Sequence, residues 1–196
     1  MLAAALVLAA GGSRRLAQPK QLLDWQGRPL LEGVVGAVAR WPVAGVVVVL
    51  GAHAEEILDR VDFGGATVVL NPEWEEGLAA SLRVGLDLLS RHPRYEAAFV
   101  ALGDQPEIPA EVPSALLGAA EETGRPAVVP RYRYQRGNPA LVARRLWARL
   151  MSLEGDAGAG SLWRAHPAWV HEVRFDHPAP VDIDTPADFQ KLLRRP

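Results

Sequence analysis

Two glycines, a serine, two arginines and a lysine crowd into Leu8-Ala9-Ala10-Gly11-Gly12-Ser13-Arg14-Arg15-Leu16-Ala17-Gln18-Pro19-Lys20. The apolar run Ala3–Leu8 leads into this stretch, so a buried strand opens into a small cationic loop. Gly11 and Gly12 let backbone N–H groups come close to phosphate oxygens. Ser13 adds a hydroxyl donor, Arg15 a two-pronged cation and Lys20 a point charge. These residue types together suit a nucleoside triphosphate. The spacing fits neither G-x-x-x-x-G-K-[ST] nor G-x-G-x-x-G. A tight turn with solvated arginines is therefore the plain alternative.

The complementary acids lie far along the chain. Asp104 directly follows the apolar run Ala97–Leu102, with Gly103 leaving space and Pro106 fixing the turn. A carboxylate at such a strand end suits Mg²⁺, which takes one or two carboxylates and fills its octahedron with water and phosphate oxygens. An aspartate capping a turn is the competing explanation. Val181-Asp182-Ile183-Asp184-Thr185-Pro186 offers a second pair. In an extended segment Asp182 and Asp184 point to the same side. Either one completes a metal shell, or Asp184 or Thr185 caps the last helix.

Composition narrows the class. The chain has no cysteine, which excludes disulfides, thiolate nucleophiles and thiolate metal sites. Its formal net charge of −2 supplies no general field for nucleic acid. With 49% hydrophobic residues it reads as a folded globular protein. Met1–Ala10 reads as the first strand, without a basic leader, and no uncharged apolar run is long enough to span a bilayer. A cytoplasmic protein with no membrane and no nucleic-acid partner is expected.

The elements that must hold these residues follow from periodicity. Ala3–Leu8, Val46–Leu50, Thr67–Leu70, Ala97–Leu102 and Ala127–Val129 predict strands, rich in Val, Leu and Ala as doubly covered strands are. Helices are predicted at about 29–40, 53–60, 78–91 and 111–124, the third with Leu78, Leu82, Leu86 and Leu89 in one stripe. This alternation predicts an α/β fold: a three-layer α/β/α sandwich around a mostly parallel, Rossmann-like sheet. Ligands of such sheets bind beyond the C-terminal strand ends, where the first loop and Asp104 both fall. After Pro130 the pattern loosens. Residues 131–139 read as a hairpin or exposed loop, with helices at about 143–150 and 157–165 and a strand at 169–175. The last helix begins after Thr185-Pro186, with Asp188 in its first turn. No repeat or linker interrupts the chain, so a single domain over 1–196 is expected.

The motifs together resemble the nucleotidyltransferases with the molybdenum-cofactor guanylyl- or cytidylyltransferase-like fold. Leu8, Ala9, Ala10, Gly11, Ser13, Arg15, Leu16 and Lys20 match that family's L-A-A-G-x-S-x-R-[ML]-G-x-x-K signature, with Ala17 in place of a usual glycine. Further blocks resemble the cytidylyltransferase branch in the same order: Pro19-Lys20-Gln21-Leu22-Leu23, Asn71-Pro72-Glu73-Trp74-Glu75-Glu76-Gly77, Ser81-Leu82-Arg83-Val84-Gly85-Leu86, Gly103-Asp104-Gln105-Pro106, Arg136-Gly137-Asn138-Pro139 and Asp182-Ile183-Asp184-Thr185-Pro186. The resemblance spans nearly the whole chain. It implies a sheet of the nucleotide-diphospho-sugar transferase type. It also implies nucleotide contacts from Ala9, Ala10, Gly11, Gly12, Ser13 and Lys20, and base or ribose contacts near Asn71 and Ser81. Mg²⁺ would lie on Asp104, aided by Asp182 or Asp184, and Arg136, Gly137 and Asn138 would face the acceptor. Ser81 also reads as a small residue in a leucine-striped helix, Asn71-Pro72 as a turn, and Trp74 as core. Asn138 stands where the family usually has histidine, and Gly160 where a later loop usually ends in arginine.

The reaction this implies is nucleotidyl transfer. A phosphate oxygen of the acceptor attacks the α-phosphorus of the triphosphate, and pyrophosphate leaves. The nucleophile is already anionic, so positioning and preorganised positive charge are the main demands on the protein. Arg15 and Lys20 would stabilise the triphosphate and the leaving group. The Pro19-Lys20 pair and the Ala9-Ala10-Gly11 form of the loop lean toward CTP as donor and a molybdopterin-type cofactor as acceptor, with a molybdoenzyme maturation factor as receiver of product. The alternatives are a guanylyltransferase, a transferase acting on a sugar or other small phosphate, and a non-catalytic nucleotide- or cofactor-binding protein.

Overall fold

The computed structural model describes residues 1–194. Its central sheet has eight strands among the described residues. β1 (Ala3–Leu8) lies between β6 (Ala97–Leu102) and β4 (Val46–Leu50), parallel to both, and β5 (Thr67–Leu70) continues parallel beside β4. β7 (Ala127–Tyr132) and β10 (Val170–Phe175) are parallel to each other. β9 (Ala140–Ala143) runs antiparallel between β6 and β7, and β8 (Gln135–Arg136) antiparallel to β7.

Strict alternation along β1 builds both faces at once. Ala3, Ala5, Val7 and Ala9 enter one core with Leu31, Val34 and Val35 of α1 (Leu30–Val38) and Leu116 of α4 (Glu111–Thr123). Ile57 of α2 (Ala54–Arg60) joins the same core. Ala4, Leu6, Leu8 and Ala10 enter the other. There they meet the leucine stripe of α3 (Leu78–Ser90), Trp147 and Leu150 of α5 (Trp147–Met151), and Trp163 of α6 (Ala159–Ala165). The result is a three-layer sandwich with helices on both faces. A smaller cluster of Leu23, Leu30, Ile183 and Leu192 docks α7 (Pro186–Leu193).

The first four predicted strands have the predicted bounds, and the first four helices agree to within a residue or two at each end. β7 runs three residues past the predicted Val129. Pro130 lacks an N–H, yet its carbonyl accepts from Gly137, and the strand goes on to pair Arg131 and Tyr132 with β8. The 131–139 stretch is thus a hairpin. β9 was not expected: four buried residues between Asn138-Pro139 and Arg144 carry no period of their own, and only partners on both sides make them a strand. The two-residue strands β2 (Asp24–Trp25) and β3 (Arg28–Pro29) were equally invisible. Thr185 caps α7 in a reciprocal box with Asp188, which leaves Asp184 free of capping. No helix among the described residues is long and apolar enough to cross a membrane.

Candidate functional site

The loop after β1 is fixed by its neighbours. The N–H of Ala9 donates to Val49, that of Ala52 to Ala10, and that of Gly103 to Leu8. Gly103 permits the close passage of β6 beside this loop, because a Cβ there would stand 2.7 Å from that of Ala9. Ser13, not a glycine, takes the left-handed backbone, with φ at 52°. Its Oγ accepts from the Lys20 N–H at 2.8 Å and donates weakly to Gln21 Oε1 at 3.4 Å. The Ser13 hydroxyl therefore closes the loop on the turn Lys20–Leu22 and is not a free donor. Buried Gln21 completes the clamp through Nε2, which donates to the carbonyls of Ala9 at 2.8 Å and Gly11 at 3.0 Å. Sequence reasoning gave Gln21 no role, because a glutamine inside a short turn carries no signal of what it reaches.

The loop and the distant acids meet at Lys20. Its Nζ donates to Asp104 Oδ2 at 2.5 Å and to Asp184 Oδ1 at 3.0 Å. Arg15 Nη2 donates to Asp184 Oδ2 at 3.0 Å. The Ile183 N–H donates to the Asp104 carbonyl, tying the acidic segment to the end of β6. Burial alone would lower the Lys20 pKa, but Asp104 and then Asp184 outweigh it and hold the ammonium above its ordinary 10.5. Burial would likewise raise Asp184, yet Lys20 and Arg15 keep it below the usual carboxylate range. Asp182 turns aside to accept from Gln105 Nε2 at 2.6 Å. Burial and then the Asp104 charge push its pKa up. Asp104 and Asp184 thus share a cation, while Asp182 stands behind them.

A cavity of about 500 Å³ opens beside this cluster. Residues 9–15 of the loop, Lys20, Asp104 and Asp184 line one part of it, and Trp74, Glu75, Ser81 and Asp156 another. Trp74 was read as core. It does pack on the second core, but its ring also stands over Gly12, where a Cβ would come within 3.0 Å. Asn71 lies behind the wall. Buried, it donates through Nδ2 to Ser81 Oγ at 3.0 Å and accepts the Glu73 N–H. Gly77 has φ at 102°, and a Cβ there would stand 2.5 Å from the Gly155 carbonyl. That close packing brings Asp156, in the glycine-rich loop that ends at Gly160, to the cavity.

A second cavity of about 530 Å³ shares Leu8, Leu78 and Leu102 with the first. Arg136, Gly137 and Asn138 line it, as does Gly160. Arg136 Nε donates to Glu172 Oε1 at 2.6 Å, and the Asn138 carbonyl accepts from the Tyr132 hydroxyl at 2.7 Å. The two cavities thus adjoin at Leu8, Leu78 and Leu102, beside the strand ends.

A divalent cation fits the acidic cluster. Asp104 Oδ1 is buried and has no hydrogen-bond partner, and both Asp104 and Asp184 offer hard oxygen atoms of the kind Mg²⁺ and Mn²⁺ prefer. Among the described residues no group of three or more His, Cys, Asp or Glu side chains is arranged to hold a metal. Water and substrate oxygens would have to complete the shell.

The MobA-like NTP transferase domain matches residues 5–170. Nicotine blue oxidoreductase of Paenarthrobacter nicotinovorans is 30% identical over 96% of this chain and 95% of its own length. Molybdenum cofactor cytidylyltransferase of Escherichia coli strain K12 is 23% identical over 71% of this chain and 69% of its own. The crystal structure of Rv0371c from Mycobacterium tuberculosis H37Rv superposes with a TM-score of 0.88 at 30% identity, covering 99% of this chain and 98% of that one. Its manganese complex gives a TM-score of 0.81 at 26% identity, over 98% of both chains. The fold is that of the nucleotide-diphospho-sugar transferases.

Proposed function

The chain belongs to the MobA-like NTP transferase family, and from that premise we propose that it transfers CMP from CTP to a molybdopterin-type cofactor with release of pyrophosphate, as a single cytoplasmic domain. The observation that carries the reading is the convergence of Lys20 on Asp104 and Asp184 in the wall of the first cavity. The triphosphate lies along the loop, with backbone N–H groups near Gly11 and Gly12 directed at its oxygens. The nucleoside occupies the Trp74 side. There Ser81, whose oxygen already accepts from Asn71, keeps its proton to donate to base or ribose. The acceptor lies in the second cavity, near Arg136 and Asn138.

Asp104 and Asp184 would hold Mg²⁺, which when bound neutralises charge on phosphate oxygens. Lys20 and Arg15 then turn from carboxylates to phosphates. Their charges balance the attack of one anion on another and the charge gathering on pyrophosphate. No proton need leave the nucleophile, so the lack of a histidine or cysteine beside the loop is no obstacle. The cytidylyl choice draws on the Pro19-Lys20 pair and on the cytidylyltransferase relative; the metal draws support from the manganese complex of the mycobacterial protein.

The oxidoreductase relative supplies a second reading, reduction of a small molecule with a dinucleotide in the same two cavities. The loop lacks G-x-G-x-x-G, and Val46–Leu50 ends in Gly51-Ala52-His53 without the acid that would bind a ribose, so this reading ranks below transfer. The test is pyrophosphate release with CTP, GTP, ATP and UTP, each with Mg²⁺ and purified molybdopterin cofactor. Selective release from CTP is expected. Selective use of GTP would overturn the cytidylyl choice, and tight binding without release would make the protein a nucleotide carrier.

A further inference from the structure

The second cavity has three arginines on its walls, and they are not equivalent. Arg136 Nε donates to Glu172 Oε1 at 2.6 Å, and Arg131 Nη1 to Glu172 Oε2 at 3.3 Å. One carboxylate answers both guanidinium groups. Burial alone would raise the Glu172 pKa, but Arg136 and Arg131 outweigh it and keep the group ionised. Arg164 lines the same cavity and is exposed, with neither a hydrogen bond nor an ion pair among the described residues.

Gly160 lies one turn earlier on α6. An ideal Cβ at Gly160 would meet only Arg164 Nη1, at 3.8 Å. The Arg164 guanidinium thus lies close over the Gly160 backbone. Trp163, 4% exposed, anchors this turn in the core, so the backbone that carries Arg164 is held firmly. Leu82, Val100 and Trp163 give the cavity an apolar floor. An apolar floor under one uncommitted guanidinium suits a flat organic body bearing a phosphomonoester, because the guanidinium fork matches two phosphate oxygens at once.

We propose that Arg164 is the residue that grips the phosphomonoester of the acceptor. The proposal rests on the transfer reading only for the word acceptor; the binding site itself stands on the cavity. In this account Arg164 positions the acceptor's phosphate, the nucleophile of the proposed transfer, and does not touch the nucleotide.

Phenyl phosphate is the probe, titrated into the full chain and followed by ³¹P NMR. The wild type is expected to bind it saturably, Arg164→Met at least tenfold more weakly, and Arg164→Lys in between. Arg91→Met, at an exposed arginine paired with Asp87 on α3, is expected to bind as the wild type does. CTP binding with Mn²⁺ serves as the folding check and is expected to be unchanged in Arg164→Met. Equal binding by the wild type and Arg164→Met overturns the proposal, as does absence of saturable binding to the wild type. If Arg164→Met loses the probe while the wild type releases no pyrophosphate from any triphosphate, the site stands and the transfer reading falls.

Discussion

Replacing Lys20 by Met keeps the side-chain length and deletes the ammonium. Asp104 and Asp184 then lose a cation at 2.5 and 3.0 Å, with Asp182 close behind them. The Lys20 and Asp104 side chains are 17% and 16% exposed, so this pair is largely out of water, whereas Asp184 is 40% exposed and regains hydration. Removing one partner of a buried ion pair costs about 3–5 kcal/mol, and the hydration of Asp184 places the loss near about 3 kcal/mol. For a chain of this size each kcal/mol moves the melting temperature by about 2–4 °C, which gives a fall of about 6–12 °C. A divalent cation can take the vacated place between the same carboxylates. At a hundredfold excess over its dissociation constant it restores about 2.7 kcal/mol. The assay is differential scanning fluorimetry of wild type and Lys20→Met, with and without MnCl₂. Mn²⁺ is expected to rescue the variant and to raise the wild type less, because Lys20 already balances the acids there. Equal gains in both proteins, or a variant that melts with the wild type, would refute the idea that lysine and metal contend for one place.

Asp104→Asn keeps the shape of the site and is expected to lower Mg²⁺-dependent pyrophosphate release by at least about a hundredfold, with circular dichroism unchanged. Glu172→Gln frees Arg131 and Arg136 from their shared carboxylate and is expected to tighten phenyl phosphate binding roughly fivefold, about 1 kcal/mol, in the same ³¹P titration. Burial, and then Glu111, hold the Tyr132 hydroxyl well above its ordinary 10.0, so the folded state keeps it neutral where the unfolded chain ionises. That stabilisation is full below pH 10 and is lost as pH rises through the folded value. Tyr132→Phe should melt lower at pH 7, by the about 1 kcal/mol of its bond to the Asn138 carbonyl, and should show a shallower alkaline decline in thermal scans from pH 8 to 11.

Much of the donor half was legible before the structure. Strands such as Ala3–Leu8 and Ala97–Leu102 are short, apolar and doubly covered, and the residues directly after such strands gather at one edge of the sheet. That reasoning alone brings Lys20 near Asp104, 84 residues apart. What stayed hidden depends on partners, not on local pattern. β9 is a strand only because β6 and β7 flank it. The clamp by Gln21 and the grip of Asn71 on Ser81 are single side-chain bonds to neighbours that no periodicity identifies. Trp74 looked like core because aromatic residues usually are, and its second face became visible only with Gly12 beneath it.

The reversed strand β9 gives the sheet a seam. Four residues stitch β7, β8 and β10 to the rest, joining Ala97–Val100 on one side to Ala127 and Val128 on the other. Asp104 follows β6 to one side of that stitching, and Arg131 and Arg136 stand on β7 and β8 to the other. A substitution within Ala140–Ala143 that loosens this seam would therefore disturb both halves of the sheet at once.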